Sequence, residues 1–408
     1  MSQAQARDST VVCLASYFKG NDFLRECKRQ GWRVILLTRE KFLGEDWARE
    51  SLDDIALVPD DADPNIYLYA IGQIGRPQKI DRIVALEEYD VETAALAREH
   101  LCMDGMNGST ARVFRDKLMM RVRAQAAGIR VPEFVHVLNY QEVGEFMQRV
   151  ESPWVMKPRS DVSAMGIKKL EYSEQVWRAI DLLDSRERLR ERAPFYLLER
   201  FVPGEVYHVD SLVRNGEVIF AGVNTYARPP MEVTNQGGVY ISRTVEHGSQ
   251  DREDLLSINR QLIQALGLVN GAAHAEYIKS KAGGDFYFLE IAARVGGAYT
   301  AEVLEAASGV NLWREWARLE LSRDAGEYEL PQTREEYAGI VLSLSKQEWP
   351  DTTAYDDPEV VYRVNKRHHV GLVLRSPELG RVQQLLEHYA VRFTEDFSAV
   401  LPPLERPE

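Results

Sequence analysis

Cysteine is scarce in this chain: its 408 residues include three, Cys13, Cys27 and Cys102. An odd number at wide spacings makes neither a disulfide framework nor a zinc-type ligand set, so reduced thiols in a cytoplasmic protein are expected. Long uncharged apolar runs are missing, which removes a membrane-spanning helix. The opening MSQAQARDST lacks the basic-then-apolar pattern of a signal peptide. Positive charge is in deficit, with 50 Lys and Arg against 63 Asp and Glu and a formal net charge of −13. That balance argues against a nucleic-acid-binding or anionic-membrane surface and leaves room for a local basic pocket only. The first candidate strand turn, Ser16–Gly20, contains one glycine, so a nicotinamide dinucleotide fingerprint is rejected. Internal repeats and low-complexity tracts are also lacking. The remainder, 45% hydrophobic and 28% charged, has the composition of a soluble globular protein. A chain this long is expected to divide into about two or three domains.

The pattern up to about residue 105 alternates strand and helix. Short apolar runs at Thr10–Ser16, Arg33–Thr38, Ile55–Val58 and Arg82–Leu86 are separated by helical stretches, one capped by Asn21 or Asp22 and one starting after Pro64. This predicts a small parallel sheet with helices on both sides. Glu87 and Glu88 directly follow the last strand, where open α/β sheets bind ligands, and could face a substrate amino group; acidic residues also suit a helix N-terminus. Gly105–Thr110 is a small-residue linker. Ser109 or Thr110 then caps a helix expected to run to Ala127, carrying Arg115, Lys117 and Arg121.

Next comes strand–helix–strand, ending in VMKPRSDVSAMGIKKL. Lys157 closes the strand, and Ser160–Gly166, with Ser160, Ser163, Ala164 and Gly166, is a small flexible loop. Backbone N–H groups, hydroxyls and an ammonium can cradle phosphates there. The Gly-Lys-Ser/Thr ending of a Walker motif is absent. In the apolar strand Phe195–Phe201, Glu199 needs a partner. A phosphate-binding lysine or an adenine amino group would serve, and Phe201 and Val202 could present backbone to the adenine edge. Further on, Glu205–Val213 and Val218–Val223 form a hairpin through Asn215-Gly216. A loop from about Tyr226 to Gly238 is long enough to be functional. Helices are expected over Asp251–Leu266, Thr300–Ala307 and Leu312–Leu321, before a mixed tail of strands and one helix.

The stretch Gly271–Gly297, GAAHAEYIKSKAGGDFYFLEIAARVGG, reads as a second hairpin. A turn centred on Gly283 sets Glu276 opposite Glu290 and His274 opposite Ala292. Two facing carboxylates repel in a purely structural sheet, whereas a divalent cation bound between them removes the objection, and Mg²⁺ takes one or two carboxylates together with nucleotide phosphates. Arg294 follows, within reach of a phosphoryl oxygen.

Taken together, RDKLMM, VMKPRSDVSAMGI, LLERFVPGEVYHVD, and AEY with FLEIAAR resemble, in order and spacing, the ATP-grasp superfamily, in particular its carboxylate–amine ligases related in fold to biotin carboxylase. The resemblance covers nearly the whole chain and implies an α/β and α+β architecture. An N-terminal parallel α/β domain (1–105) would precede a linker helix with a small lid-bearing ATP-binding subdomain (106–200) and a C-terminal antiparallel-sheet α+β domain (201–408). It implies ATP and Mg²⁺, or Mn²⁺ in its place. Lys117 and Lys157 would bind phosphates, with Lys157 and Arg294 catalytic, and the Ser160–Gly166 loop would be the lid. Glu199, Arg200, Phe201 and Val202 would read adenine, and Glu205 and His208 would complete the nucleotide site. Glu276 and Glu290 would hold the metal. The family often has Asn where this chain has Ala292, and the expectation is that His274 or water fills that gap. Arg228, Gly237 and Gly238 are candidates for holding a substrate carboxylate. The implied reaction joins a small-molecule carboxylate, first phosphorylated to an acyl phosphate, to an amine. Amino acids are the expected substrates, and a homodimer is the family's habit. Biotin-carboxylase chemistry, an ATP-grasp kinase and a nucleotide-binding module without turnover are the alternatives.

Overall fold

The computed structural model describes residues 9–161, 166–229, 238–322, 328–397 and 399. Four parallel strands, β1 (Thr10–Leu14), β2 (Arg33–Arg39), β3 (Asp54–Val58) and β4 (Arg82–Ala85), form the first sheet in the order β3-β2-β1-β4. Every residue of β1 is buried, as expected of a central parallel strand covered on both faces. Helix α1 (Asn21–Arg29) crosses from β1 to β2 and α2 (Pro64–Ile74) from β3 to β4, while α3 (Val91–His100) follows β4. Gly20, in the left-handed region, heads α1; Asn21 instead uses its side chain to bind the Ala48 N–H and the Asp46 carbonyl. Because β1 lies between β2 and β4, the strand order reverses there, and the crevice at the carboxyl ends of β1 and β4 holds Lys19, Glu87 and Glu88.

The single helix expected up to Ala127 is two helices, α4 (Gly108–Val113) and α5 (Lys117–Ala126). Asn107 caps the first and Asp116 the second. Two acceptor side chains at successive helix starts outcompete continuous helix through Phe114–Asp116. The break puts Lys117 on the first turn of α5.

Strands β5 (Phe134–His136), β6 (Trp154–Pro158), β7 (Lys168–Leu170) and β8 (Tyr196–Arg200) form a small antiparallel sheet in the order β5-β8-β6-β7, backed by α6 (Tyr140–Arg149) and α7 (Ser173–Asp184). The rest builds an eight-stranded antiparallel sheet from β9 (Gly204–Arg214), β10 (Glu217–Tyr226), β11 (Tyr240–Thr244), β12 (Gly271–Ser280), β13 (Phe286–Ala292), β14 (Tyr337–Leu344), β15 (Val360–Arg363) and β16 (His369–Ser376). Its order is β13-β12-β9-β10-β11-β14-β16-β15. Asn215 and Gly216, at φ 52° and 81°, make the tight turn joining β9 to β10. Helices α8 (Gln250–Leu266), α9 (Thr300–Ser308), α10 (Leu312–Leu321) and α11 (Leu379–Asp396) cover this sheet. Among the described residues no helix is long and apolar enough to cross a membrane.

The β12–β13 hairpin pairs Glu276 with Glu290 and His274 with Ala292. The ladder is not continuous, because nearer the turn Tyr277 pairs with Phe288, leaving Leu289 as a bulge. The extra residue inverts the alternation. Phe286 and Phe288 point into the core with Tyr277; beyond the bulge, Glu290 faces the same side as Glu276. An unbroken ladder would have turned Glu290 into the apolar core.

Candidate active site

A cavity of about 520 Å³ lies between the small sheet and the face of β9, β12 and β13 that carries Val206, Glu276 and Glu290. That volume is within the range of small-molecule sites.

At one end, β6 delivers Lys157 and β8 delivers Glu199. Their side chains meet at 2.7 Å, and Arg121 of α5 reaches the other oxygen of Glu199 at 2.5 Å. All three are buried. Burial pulls the Lys157 ammonium down to about 8, opposed by Glu199. Burial favours a protonated Glu199, but Arg121 and Lys157 outweigh it and hold the carboxyl below its usual range. Arg121, which the sequence left without a role, lies 5.6 Å above the Phe288 ring.

The chain after Glu199 forms the cavity wall. The Phe201 N–H donates to the Pro153 carbonyl at 3.0 Å, and Lys169 sits 4.6 Å over the Phe201 ring. The Arg200 N–H binds the Glu133 carbonyl, and its side chain approaches the Tyr287 hydroxyl at 3.4 Å. Among the described residues the Val202 N–H has no backbone partner, so a donor is available at the wall for a heterocycle edge.

Two of the residues expected in the nucleotide site lie elsewhere. Glu205 is exposed and accepts from the Tyr207 hydroxyl at 3.1 Å. Strand alternation puts both on the face away from the cavity. His208 is on the cavity side but buried, beneath the Tyr226 ring at 4.8 Å, with its nitrogens bound to Asp210 and Ser242. Neither forms part of the cavity wall.

Opposite Lys157, the Lys117 ammonium contacts the Asp161 carbonyl at 2.6 Å and Glu290 at 3.0 Å. Glu276 accepts from the Tyr226 hydroxyl at 2.8 Å and lies 3.6 Å from His274 Nε2. Burial disfavours a charged His274, but Asp210 and Glu276 prevail and raise it to about 10. The two opposed carboxylates are a donor set that suits a hard divalent cation, and the Lys117 ammonium now against Glu290 would have to give way to it. Of the loop after Lys157, Ser160 and Gly166 are described; Ser163 and Ala164 lie outside the described residues, as does Gly237. The Ser160 carbonyl accepts from Arg115 at 2.7 Å, and Gly166 sits at φ 69°. A Cβ on Gly238 would stand 3.3 Å from Arg228, so those two are neighbours.

At the far end, Arg294 donates twice to Glu88 Oε2, at 2.7 and 3.2 Å, and Arg115 holds the other oxygen at 2.6 Å. Burial favours a neutral Glu88, yet Arg294 and Arg115 prevail and hold the carboxyl down to about 2. Glu87 is buried and paired with Lys19 at 2.6 Å, outside the cavity. Of the two acidic residues after β4, only Glu88 reaches the site.

Residues 150–302 match the family model of the ATP-grasp domain. The chain is 22% identical over 298 residues to an L-arginine-specific L-amino acid ligase of Bacillus subtilis, covering 71% of this chain and 69% of that protein. Its fold superposes on an L-amino acid ligase from Bacillus licheniformis with a TM-score of 0.74 at 17% identity, over 94% of this chain and 97% of the other. A biotin carboxylase from Campylobacter jejuni superposes at 0.70 and 14% identity, over 96% and 92% of the two chains.

Proposed function

We infer that this chain, an ATP-grasp protein, is an ATP-dependent ligase that joins the carboxylate of one amino acid to the amine of a second substrate. The observation that carries this reading is the convergence of Lys117, Lys157, Glu276, Glu290 and Arg294 on one cavity. The curated relative and the superposed ligase support the class of substrate.

A carboxylate is a poor acylating agent because its leaving group would be oxide. Attack of a carboxylate oxygen on the γ-phosphorus of ATP breaks the bond to the β-phosphate oxygen, releases ADP and gives an acyl phosphate. An amine then attacks the acyl carbon, the C–O bond to phosphate breaks, and the amine loses a proton as the amide forms. In this reading Lys157 and Lys117 hold the phosphates from opposite sides, while Val202 and its neighbours contact the base. Glu276 and Glu290 would hold Mg²⁺, which supplies charge neutralisation at the phosphates. In this reading Arg294, which lines the same cavity, stabilises charge developing on the transferred phosphoryl group. Glu88 holds Arg294 and, in this reading, is the acidic group beside it for a substrate ammonium. The loop after Lys157 would exclude water, which otherwise hydrolyses the acyl phosphate.

The test is ADP release with Mg-ATP across amino acids singly and in pairs, with mass spectrometry of the products. Release requiring a pair, together with a new mass equal to the two substrates less water, supports the ligase. Tight nucleotide binding with no turnover for any pair refutes it for amino-acid substrates.

A further inference from the structure

The sheet face beneath the paired carboxylates carries a polar row that the reaction scheme leaves without a role. Direct cross-strand neighbours run Glu290, Glu276, His208, Asn224 and Thr244 over five strands. One step along, His274 lies beside Asp210 and opposite Ala292. Asp210 is fully buried and takes Nδ1 of both rings, His208 at 2.6 Å and His274 at 2.8 Å. His208 is used up, since its Nε2 meets the Ser242 hydroxyl at 2.8 Å. His274 is not: with Nδ1 committed to Asp210, its Nε2 is left at the cavity wall, 3.6 Å from Glu276 Oε1.

That separation is too long for a hydrogen bond. It is close to the spacing of two adjacent ligands on one ion, because donors at about 2.1 Å that subtend 90–110° lie about 3.0–3.4 Å apart. A ring whose second nitrogen is held by a carboxylate is also how proteins fix the tautomer and direction of a metal-binding histidine. Across the strand, the methyl group of Ala292 offers no donor. Bare backbone covers the pair, since a Cβ on Gly296 would stand 2.7 Å from Asp210 Oδ1 and 2.9 Å from His274 Nδ1.

Building on the ATP-site reading, we propose that His274 supplies, through Nε2, a third protein ligand to the divalent ion held by Glu276 and Glu290, and that Asp210 orients the ring. Bound in this way the ring is neutral, with its proton on Nδ1 toward Asp210 and the Nε2 lone pair toward the ion. A nitrogen donor shifts the preference of an otherwise all-oxygen site from Mg²⁺ toward Mn²⁺ and later first-row ions.

The experiment is pulsed electron paramagnetic resonance of Mn²⁺ bound to the full chain with tripolyphosphate, a nitrogen-free stand-in for the nucleotide, in protein labelled with ¹⁵N-histidine. The expected spectrum contains both ³¹P coupling and the ¹⁵N coupling of a directly bonded imidazole. The ¹⁵N coupling should vanish in His274→Gln, with Mn²⁺ affinity relative to Mg²⁺ falling about tenfold or more. Asp210→Asn should keep the coupling and weaken Mn²⁺ binding about tenfold. Wild-type Mn²⁺ with ³¹P coupling and no histidine nitrogen overturns the proposal and leaves the phosphate site standing. Coupling that persists in His274→Gln also overturns it, and failure to bind Mn²⁺ at all overturns both readings. The wild-type spectrum decides the question even if neither variant folds.

Discussion

Replacing Glu88 with Gln tests whether the site's electrostatics are as described. The carboxylate is buried between Arg294 and Arg115, with contacts of 2.7 and 2.6 Å. Its folded pKa, about 2, lies below the unfolded value of about 4.3. A depressed carboxyl contributes stability that is fully present above the unfolded pKa and is lost as the pH falls through the folded one. A difference of roughly 2.3 units at 1.36 kcal/mol each gives about 3 kcal/mol at pH 7, falling to roughly half of that by pH 3. The same size follows from the cost of leaving a buried cation unpaired, about 3–5 kcal/mol. Glu88→Gln keeps the shape and removes the charge. Urea unfolding of both proteins from pH 3 to pH 8 should show the variant about 3 kcal/mol less stable at neutral pH, with the gap narrowing on acidification. A gap under about 1 kcal/mol at pH 7, or one that does not change with pH, would refute the reasoning.

Three further outcomes are expected. Lys157→Met should lower kcat for ADP release by about 10²–10³ while the protein stays folded, because methionine fills the space and Arg121 still pairs Glu199; unchanged turnover would remove Lys157 from the phosphate site. Burial pushes Asp90 up to about 6 despite its bond from the Ser16 N–H at 2.7 Å. Its ionisation therefore opposes folding, and Asp90→Asn should be neutral below about pH 4 and more stable than wild type by up to about 3 kcal/mol above pH 6, measured by chemical denaturation. Gly296→Ala should cost about 1–3 kcal/mol by overpacking and should lose more turnover than Gly297→Ala, where a Cβ meets nothing within 4 Å. Equal effects would show that Gly296 does not close over the Asp210–His274 pair.

Much of the architecture could be read from local chemistry. Asn215-Gly216 announced its turn, and the apolar runs at Thr10 and Arg33 announced parallel strands, because backbone preference and burial act within a few residues there. That Glu199 needs a partner was legible, because a carboxylate in an apolar strand cannot stay unpaired; that Lys157 and Arg121 supply it comes from the fold. The Glu276–Glu290 pairing followed from the turn centre, but what turns Glu290 to the cavity is the Leu289 bulge, and a bulge leaves no mark in composition. Glu205 and His208 were misplaced for one reason: motif spacing does not say which face a strand residue points to or what lies over it. The side chain of Glu205 turns to Tyr207, and the Tyr226 ring covers His208. Arg115, Arg121, Tyr226 and Asp210 acquire their roles from partners 27 to 78 positions away, beyond any local pattern. The broken helix at Phe114–Asp116 was available in principle, since Asp116 is a good cap three residues before Met119, but apolar periodicity ran through it.

The measurement closest to the central claim follows oxygen. An amino-acid substrate carrying ¹⁸O in its carboxylate is incubated with Mg-ATP, the second substrate and the enzyme, and the released phosphate is analysed by mass spectrometry. If the carboxylate attacks the γ-phosphorus and phosphate later leaves the acyl carbon, each phosphate released carries one ¹⁸O from that carboxylate, in step with amide formed. Unlabelled phosphate alongside amide, or AMP and pyrophosphate in place of ADP and phosphate, would contradict the acyl-phosphate route.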